Sequence, residues 1–279
     1  MQEKNITHAW TLSQLYEAFV RVYEDYPIKF KPTPEEFRIR LIKLNLDMGR
    51  SIAYKNGDDI IGFILYTINN YQGKMTAYNG GTGVLPHYRG KGIIDFLFDQ
   101  SIEELSNAGA NSLLLEVIST NQYAIKLYER LDFEYTRTLK SFKKKKAYSS
   151  PIPTVLLKKA NILKAEYKAF KDFETSFIDS DSQLPFNLNN ELLVEAYIQH
   201  ELAGYIIYQP QVGRISQLAV DRKQRGKKVA QALLRHAELT STRALTILNI
   251  PENEQETIGA LEALGFENEL DQYEMEYLI

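Results

Sequence analysis

The chain has no cysteine in its 279 residues. That excludes disulfides, thiolate metal sites and a cysteinyl acyl-enzyme. Histidine is scarce too: His8, His87, His200 and His236 show no metal-ligand spacing, so no metal is expected and surface or structural roles are the ordinary reading. No stretch reaches the roughly 18 apolar residues of a membrane span, and residues 1–13 hold no apolar run of signal-peptide length. The expectation is a soluble, cytoplasmic protein with no membrane partner. Nor is there an excess of positive charge: 33 Lys and Arg stand against 36 Asp and Glu. Residues 1–150 carry 20 basic and 17 acidic side chains, the remainder 13 and 19, which argues against a nucleic-acid surface.

What is present begins with residues 82–94, Thr-Gly-Val-Leu-Pro-His-Tyr-Arg-Gly-Lys-Gly-Ile-Ile. Gly90 and Gly92 lack Cβ atoms, so the backbone can turn its N–H groups toward one point. A helix starting near Gly92 adds the positive end of its dipole, and Arg89 and Lys91 add charge. Alone, such a loop is equally an ordinary surface turn. Its surroundings are more specific: an amphipathic helix over 93–107, an apolar strand over 112–118, then Ser119-Thr120-Asn121 opening a second helix that closes at Leu131-Asp132-Phe133. Upstream the pattern reads strand (5–9), helix (12–24), helix (34–47) and strands near 50–55, 60–69 and 74–84. Two closing strands follow Phe133, over 134–139 and 142–148. An antiparallel meander feeding a β-loop-α-β unit makes an α+β sheet.

At Val84, Pro86, Arg89, Gly90, Gly92, Leu115-Glu116-Val117, Asn121, Leu127-Tyr128 and Phe133, in that order, the chain resembles the GNAT acyltransferase superfamily. The pattern then recurs. Val84, Arg89 and Gly90 map onto Val220, Arg225 and Gly226 at one offset, and Phe133 maps onto Phe266 after a small deletion. A tandem repeat of one fold is the simplest account, and 279 residues suit two domains. The break is expected in the Pro- and Ser-bearing run 147–153, giving domains 1–148 and 149–279.

The resemblance implies a splayed sheet with acyl-CoA in the gap, and hence acetyl-CoA as co-substrate. Backbone groups of Val84 and Leu85 would pair with pantetheine amides. The N–H groups of Arg89, Gly90, Lys91, Gly92, Ile93 and Ile94 would receive the phosphates. His87 stands where the family usually has Gln or Arg, which weakens one side-chain contact and leaves the backbone cradle. Asn121 is implied to bind the cofactor, or else it caps the helix it opens.

Acyl transfer to an amine needs a neutral amine, a stabilised oxyanion and a proton for the departing thiolate. Tyr128 sits at the family's general-acid position; the plain alternative is packing on an apolar helix with Ile125 and Leu131. Glu116 interrupts the apolar run Leu113–Ile118, where a carboxylate is costly unless it reaches water or a partner. It is the candidate base, or it points outward from a half-exposed face. Its spacing to Tyr128 also resembles that of ribosomal-protein alanine acetyltransferases, a likeness of motif that does not transfer their substrate. The acceptor, an amine-bearing small molecule or peptide, is expected against Glu24, Asp25 and Tyr26, where acidic and aromatic groups suit a cation, or those residues pack on the sheet. Tyr78 and Asn79 are expected to face the same cleft. The run Lys143–Lys146 is expected to be a solvated hairpin tip. In the second copy Lys228 replaces Gly92, Asn249 replaces Glu116 and Leu261 replaces Tyr128, so that copy is read as degenerate and the first as the N-acetyltransferase; the alternatives are catalysis in the second copy, or an acyl-CoA-binding or interaction module without catalysis.

Overall fold

The computed structural model describes residues 5–25, 31–146 and 155–279. They form two compact units, Met1–Thr136 with Tyr273–Ile279, and Arg137–Gln272. The break expected at 148/149 lies outside the described residues.

The first unit opens with β1 (Ile6–Thr7) and the helices α1 (Leu12–Val22) and α2 (Pro34–Leu44). Both helices begin at a capping box, Thr11 with Gln14 and Thr33 with Glu36, and Pro34 occupies the first turn of α2. Leu15, Ala18, Phe19 and Val22 make a buried stripe at helical spacing on α1. Phe19 sits between Phe37 of α2, with ring centroids 4.8 Å apart, and Phe63 of the sheet, at 6.3 Å.

The sheet is an antiparallel meander of β2 (Ile52–Asn56), β3 (Asp59–Tyr71) and β4 (Lys74–Val84). Then come α3 (Ile93–Asn107), β5 (Ser112–Ile118) parallel to β4, and α4 (Gln122–Arg130). Two features of β4 shape the site. The register with β3 slips between Leu65↔Gly81 and Tyr66↔Asn79, leaving Gly80 as a bulge. A Cβ there would lie 2.3 Å from the Leu44 side chain, so α2 can cross the strand only above a glycine. The ladder with β5 runs through Thr76↔Ser112, Ala77↔Leu113 and Tyr78↔Leu114 and then stops, so the strands part beyond Tyr78. The end of the chain completes this unit: Tyr277 meets the rings of Phe98 and Phe133 at 5.2 and 5.6 Å, and the Ile279 N–H donates to the Asn111 carbonyl.

The second unit takes in β6 (Glu134–Lys144) from Arg137 onward, then β7 (Leu156–Ala160), β8 (Leu192–Ile198), β9 (Glu201–Gln209) and β10 (Arg214–Val220), with α5 (Val229–Thr240), β11 (Thr246–Pro251), α6 (Gln255–Ala263) and β12 (Phe266–Leu278) as far as Gln272. β7 to β10 form an antiparallel meander, β11 runs parallel to β10 over only two pairs, and β6 lies antiparallel on β11. In place of two helices this unit has short 3₁₀ turns at Ala165–Phe170, Phe177–Asp179 and Leu184–Asn190. Ser, Thr and Asp crowd residues 175–182, where their side chains compete for the backbone bonds of a helix, and Pro185 follows.

One sequence expectation is corrected here. The two closing strands over 134–139 and 142–148 are a single strand, β6, because no Gly, Pro, Asn or Asp lies between them and Leu139, Ser141 and Phe142 are all buried. The Lys143–Lys146 run is accordingly no hairpin tip. Lys143 and Lys145 pair with Glu269, and the Lys144 ammonium donates to the Leu264 carbonyl at 2.7 Å, where burial pulls its pKa down.

Candidate active site

The loop between β4 and α3 carries the glycine geometry expected of it. Pro86–Tyr88 make one 3₁₀ turn, and Gly90 and Gly92 are left-handed at φ 70° and 68°. α3 starts directly after Gly92 with no side-chain cap, so its first N–H groups face outward from the turn. A Cβ at Gly90 would meet nothing within 4 Å. The Leu85 N–H donates to the Ile61 carbonyl and its own carbonyl accepts from Tyr88, while the Val84 carbonyl accepts from Arg89 Nε. By strand alternation the Val84 N–H lies on the edge of β4 away from β3. Arg89 does not reach outward. Its guanidinium grips Asp25 at 2.5 and 2.8 Å and the Val22 carbonyl at 3.0 Å, tying the end of α1 to the loop. That bond holds the Asp25 carboxyl below its usual range and raises Arg89. Asp25 is thereby engaged, Glu24 is exposed, and Tyr26 lies outside the described residues. Lys91 rides over the Tyr88 ring at 5.0 Å.

Tyr78 and Glu116 are brought together. The Tyr78 hydroxyl donates to Glu116 Oε2 at 2.5 Å, at the last rung before β4 and β5 part. Tyr66 points to α3, sharing a 2.9 Å bond with Ser101. Tyr78 is opposite Thr67, the next residue along β3, so it and Glu116 occupy the sheet face away from α3. Tyr128 is on the other side. Half-buried on α4, it meets the Phe133 ring edge-on at 5.5 Å and adds to the upward shift that burial imposes on the Tyr66 phenol. Glu116 and Tyr128 therefore lie on opposite faces of the sheet.

Two other expected residues have local duties. Asn121 accepts from the Ala124 N–H at 3.2 Å and caps α4. Asn79 accepts from the Gly81 N–H and bonds Thr82, fastening the bulge around Gly80.

The second copy repeats four bonds of the loop. The Asp221 N–H donates to Ala203, the Gln224 N–H to Asp221, Arg225 Nε to the Val220 carbonyl, and the Arg225 guanidinium clasps Asp172 at 2.8 Å. Gly226 is left-handed, and so is Lys228, at φ 63° and ψ 20° against 68° and 22° for Gly92. A glycine is not required there; a lysine holds the same conformation at a cost of about 1–2 kcal/mol. Beside this loop lies a cavity of about 490 Å³ bounded by β10, β11, α6 and the segment around Phe170–Thr175. Asn249, left-handed at φ 62° and 5 % exposed, lines it. Its Nδ2 donates to Ser176 at 2.9 Å, and its Oδ1 has no hydrogen-bond partner among the described residues. Arg214, which corresponds to Tyr78, is tied to Asp179 at 2.7 Å in a buried ion pair. Leu261 is buried among apolar neighbours. Sequence reading by glycine count missed this cavity; the spacing that aligns Lys228 with Gly92 was the available signal.

Residues 12–133 match the acetyltransferase (GNAT) family, and residues 162–276 match an acetyltransferase (GNAT) domain. The chain belongs to the GNAT family, once in each copy. It is 30% identical over 84 residues to N-alpha-acetyltransferase 30 of Schizosaccharomyces pombe, a match covering 30% of this chain; the chain spans little more than half (56%) of that relative's length. Among solved structures it resembles a putative acetyltransferase from Pyrococcus horikoshii (TM-score 0.74, 16% identity, 100% of this chain and 91% of that one). It also resembles a tandem GNAT protein from the clavulanic acid biosynthesis pathway (TM-score 0.70, 15% identity, 96% and 94%). At these identities the likeness is one of fold. No helix among the described residues is long and apolar enough to cross a membrane, and none of their His, Asp and Glu side chains cluster as a metal site.

Proposed function

We propose that the chain is an acetyl-CoA-dependent N-acetyltransferase whose first copy modifies a primary amine of a peptide or small molecule. The observation that carries this reading is the Tyr78–Glu116 pair at the point where β4 and β5 part, which stands a carboxylate at the mouth of the gap. The left-handed turns at Gly90 and Gly92, the uncapped start of α3 and the Val84 N–H fit a phosphopantetheine ligand: donors for phosphate at one end, a strand edge for amides at the other. Such a ligand supplies the acyl group as a thioester. Glu116 takes a proton from the acceptor nitrogen as its C–N bond forms. Tyr128 gives one to the sulfur as the C–S bond breaks. A peptide amino terminus is favoured among acceptors by the chain's 30% identity over 84 residues to an N-alpha-acetyltransferase. The test is thiol release from acetyl-CoA across a panel of peptide N-termini and small amines, with wild type and Glu116→Gln side by side. Wild-type turnover with some acceptor, reduced in the variant by about 10²–10⁴-fold, is expected. A panel without turnover, or an unimpaired variant, overturns the assignment.

A second reading concerns the other copy, which we take as a binding site without chemistry. Its loop conformation, its cavity and the Asn249 Oδ1, unpartnered among the described residues, support a ligand of the same class. Asn249 and Leu261 offer neither a base nor an acid.

A further inference from the structure

We propose that Tyr78 is a positioning residue that holds Glu116 in its proton-accepting pose, rather than a residue that meets the acceptor. The inference rests on Glu116 being the base, and it goes beyond that reading by assigning what aims the carboxylate.

A glutamate on a strand has three side-chain torsions, and nothing in an apolar run such as Leu113-Leu114-Leu115-Glu116-Val117-Ile118 would by itself fix them. Tyr78 is fixed. Its backbone is paired on one side with Thr67 and on the other with Leu114, and its ring is only 7 % exposed. The hydroxyl therefore stands at one place, and the 2.5 Å bond it donates to Glu116 Oε2 has the length of a charge-assisted O–H···O⁻ bond. A carboxylate offers about four lone-pair sites, so one bond from Tyr78 restrains its orientation and leaves capacity for the amine proton.

The repeat supplies an independent observation. At the positions aligned by sequence spacing the second copy has Arg214 and Asn249, with Asn249 three residues past the ladder partner of Arg214 where Glu116 is two past that of Tyr78, and neither partners the other: Arg214 is bound to Asp179 and Asn249 to Ser176. Tyrosine and glutamate are present together in one copy and absent together from the other, as a pair acting as one unit requires. The Gly80 bulge explains why the pair is held at this rung. The extra residue turns β4 away from β5 immediately after Asn79, so Tyr78 is the last β4 side chain positioned by both neighbours.

The experiment compares Tyr78→Phe, Glu116→Gln and the double variant, each in the full chain, using acetyl-CoA and the best acceptor from the panel, with a crystal structure of Tyr78→Phe. Phenylalanine keeps the ring packing and removes only the hydroxyl, so a purely structural role predicts no change. We expect kcat to fall at least tenfold in Tyr78→Phe with the KM values for both substrates within about twofold. The double variant should be no slower than Glu116→Gln alone. The Glu116 carboxylate should leave its position in the crystal. Wild-type kcat in Tyr78→Phe, a raised acceptor KM with kcat intact, additive losses in the double variant, or an unmoved Glu116 side chain would each overturn the proposal. If Glu116→Gln is itself fully active, the base assignment has failed and this inference with it. If Glu116→Gln is slow and Tyr78→Phe is not, only the role of Tyr78 is lost.

Discussion

The turns 85–92 and 221–228 share their backbone hydrogen bonds, their arginine–aspartate clasp and their left-handed residues, yet the strands leading into them carry different chemistry. In the first copy β4 ends its ladder with a tyrosine hydrogen-bonded to a glutamate. In the second, β10 begins with an arginine neutralised by a buried aspartate, and the adjoining β11 presents an asparagine. A turn built on backbone N–H groups tolerates sequence drift, because any residue able to reach φ near 65° preserves it. Under the proposed function, proton transfer depends on side-chain identity and would be lost with one substitution.

That contrast can be broken at several points. The largest expected effect is on turnover. Tyr128→Phe should reduce kcat by about 10²–10⁴-fold with little change in acetyl-CoA affinity, if its hydroxyl protonates the sulfur. Leu261→Tyr in the second copy should restore no rate, since Asn249 cannot accept a proton. A normal Tyr128→Phe rate where chemistry limits turnover returns that residue to packing on Phe133.

Next in size is stability. The Arg214–Asp179 pair is shielded, with its side chains 15% and 4% exposed, whereas Arg89 and Asp25 are 44% and 52% exposed. Asp179→Asn leaves a buried guanidinium without its counter-charge and should cost about 3–5 kcal/mol in urea unfolding. Asp25→Asn should cost no more than about 1 kcal/mol. Equal losses would show that burial does not separate the two ties.

Cofactor affinity comes third. A branched side chain at Gly92 must adopt φ 68° beside the α3 N-terminus. Gly92→Val should therefore raise the acetyl-CoA Kd about tenfold or more by calorimetry. Lys228→Ala, which keeps a Cβ in the same conformation, should change total binding less. The reverse ranking would make the second copy the tighter site.

The smallest effect is acid-dependent. Arg89 holds the Asp25 carboxyl below its usual 3.8, so the ionised form is favoured in the folded chain. Its contribution is complete above about pH 4 and is lost as pH falls through the lowered folded value. The difference in Tm between wild type and Asp25→Asn should therefore be constant at neutral pH and shrink toward zero as pH falls through the lowered folded value.

Much of this was legible in advance. The α+β class, the repeat, the glycine-bearing turn and the strand carrying Glu116 follow from periodicity and spacing, because each is a local pattern. The apolar run that isolates Glu116 marked it as needing a partner, but Tyr78, 38 positions away, could be named only as facing the cleft. Asn121 read as ligand or cap, and its bond to Ala124 is the cap. The continuity of β6 was missed because buried Lys144 resembles its solvated neighbours in a run of four lysines; its burial depends on the Leu264 carbonyl 120 residues away.

The sequence by itself determined that two copies of one fold exist and that only the first keeps both a carboxylate and a phenol at the expected places. These are facts of residue type and spacing, and no contact is needed to read them. Tertiary structure decided which groups meet: Arg89 turned inward to Asp25, Tyr78 onto Glu116, Tyr128 on the opposite face, Lys228 in a glycine's conformation, and the last seven residues joined to the first unit. Each of these depends on strand register and on pairings far apart in the chain. A one-residue bulge such as Gly80 reverses which face a side chain takes, and that slip arises where α2 crosses the sheet.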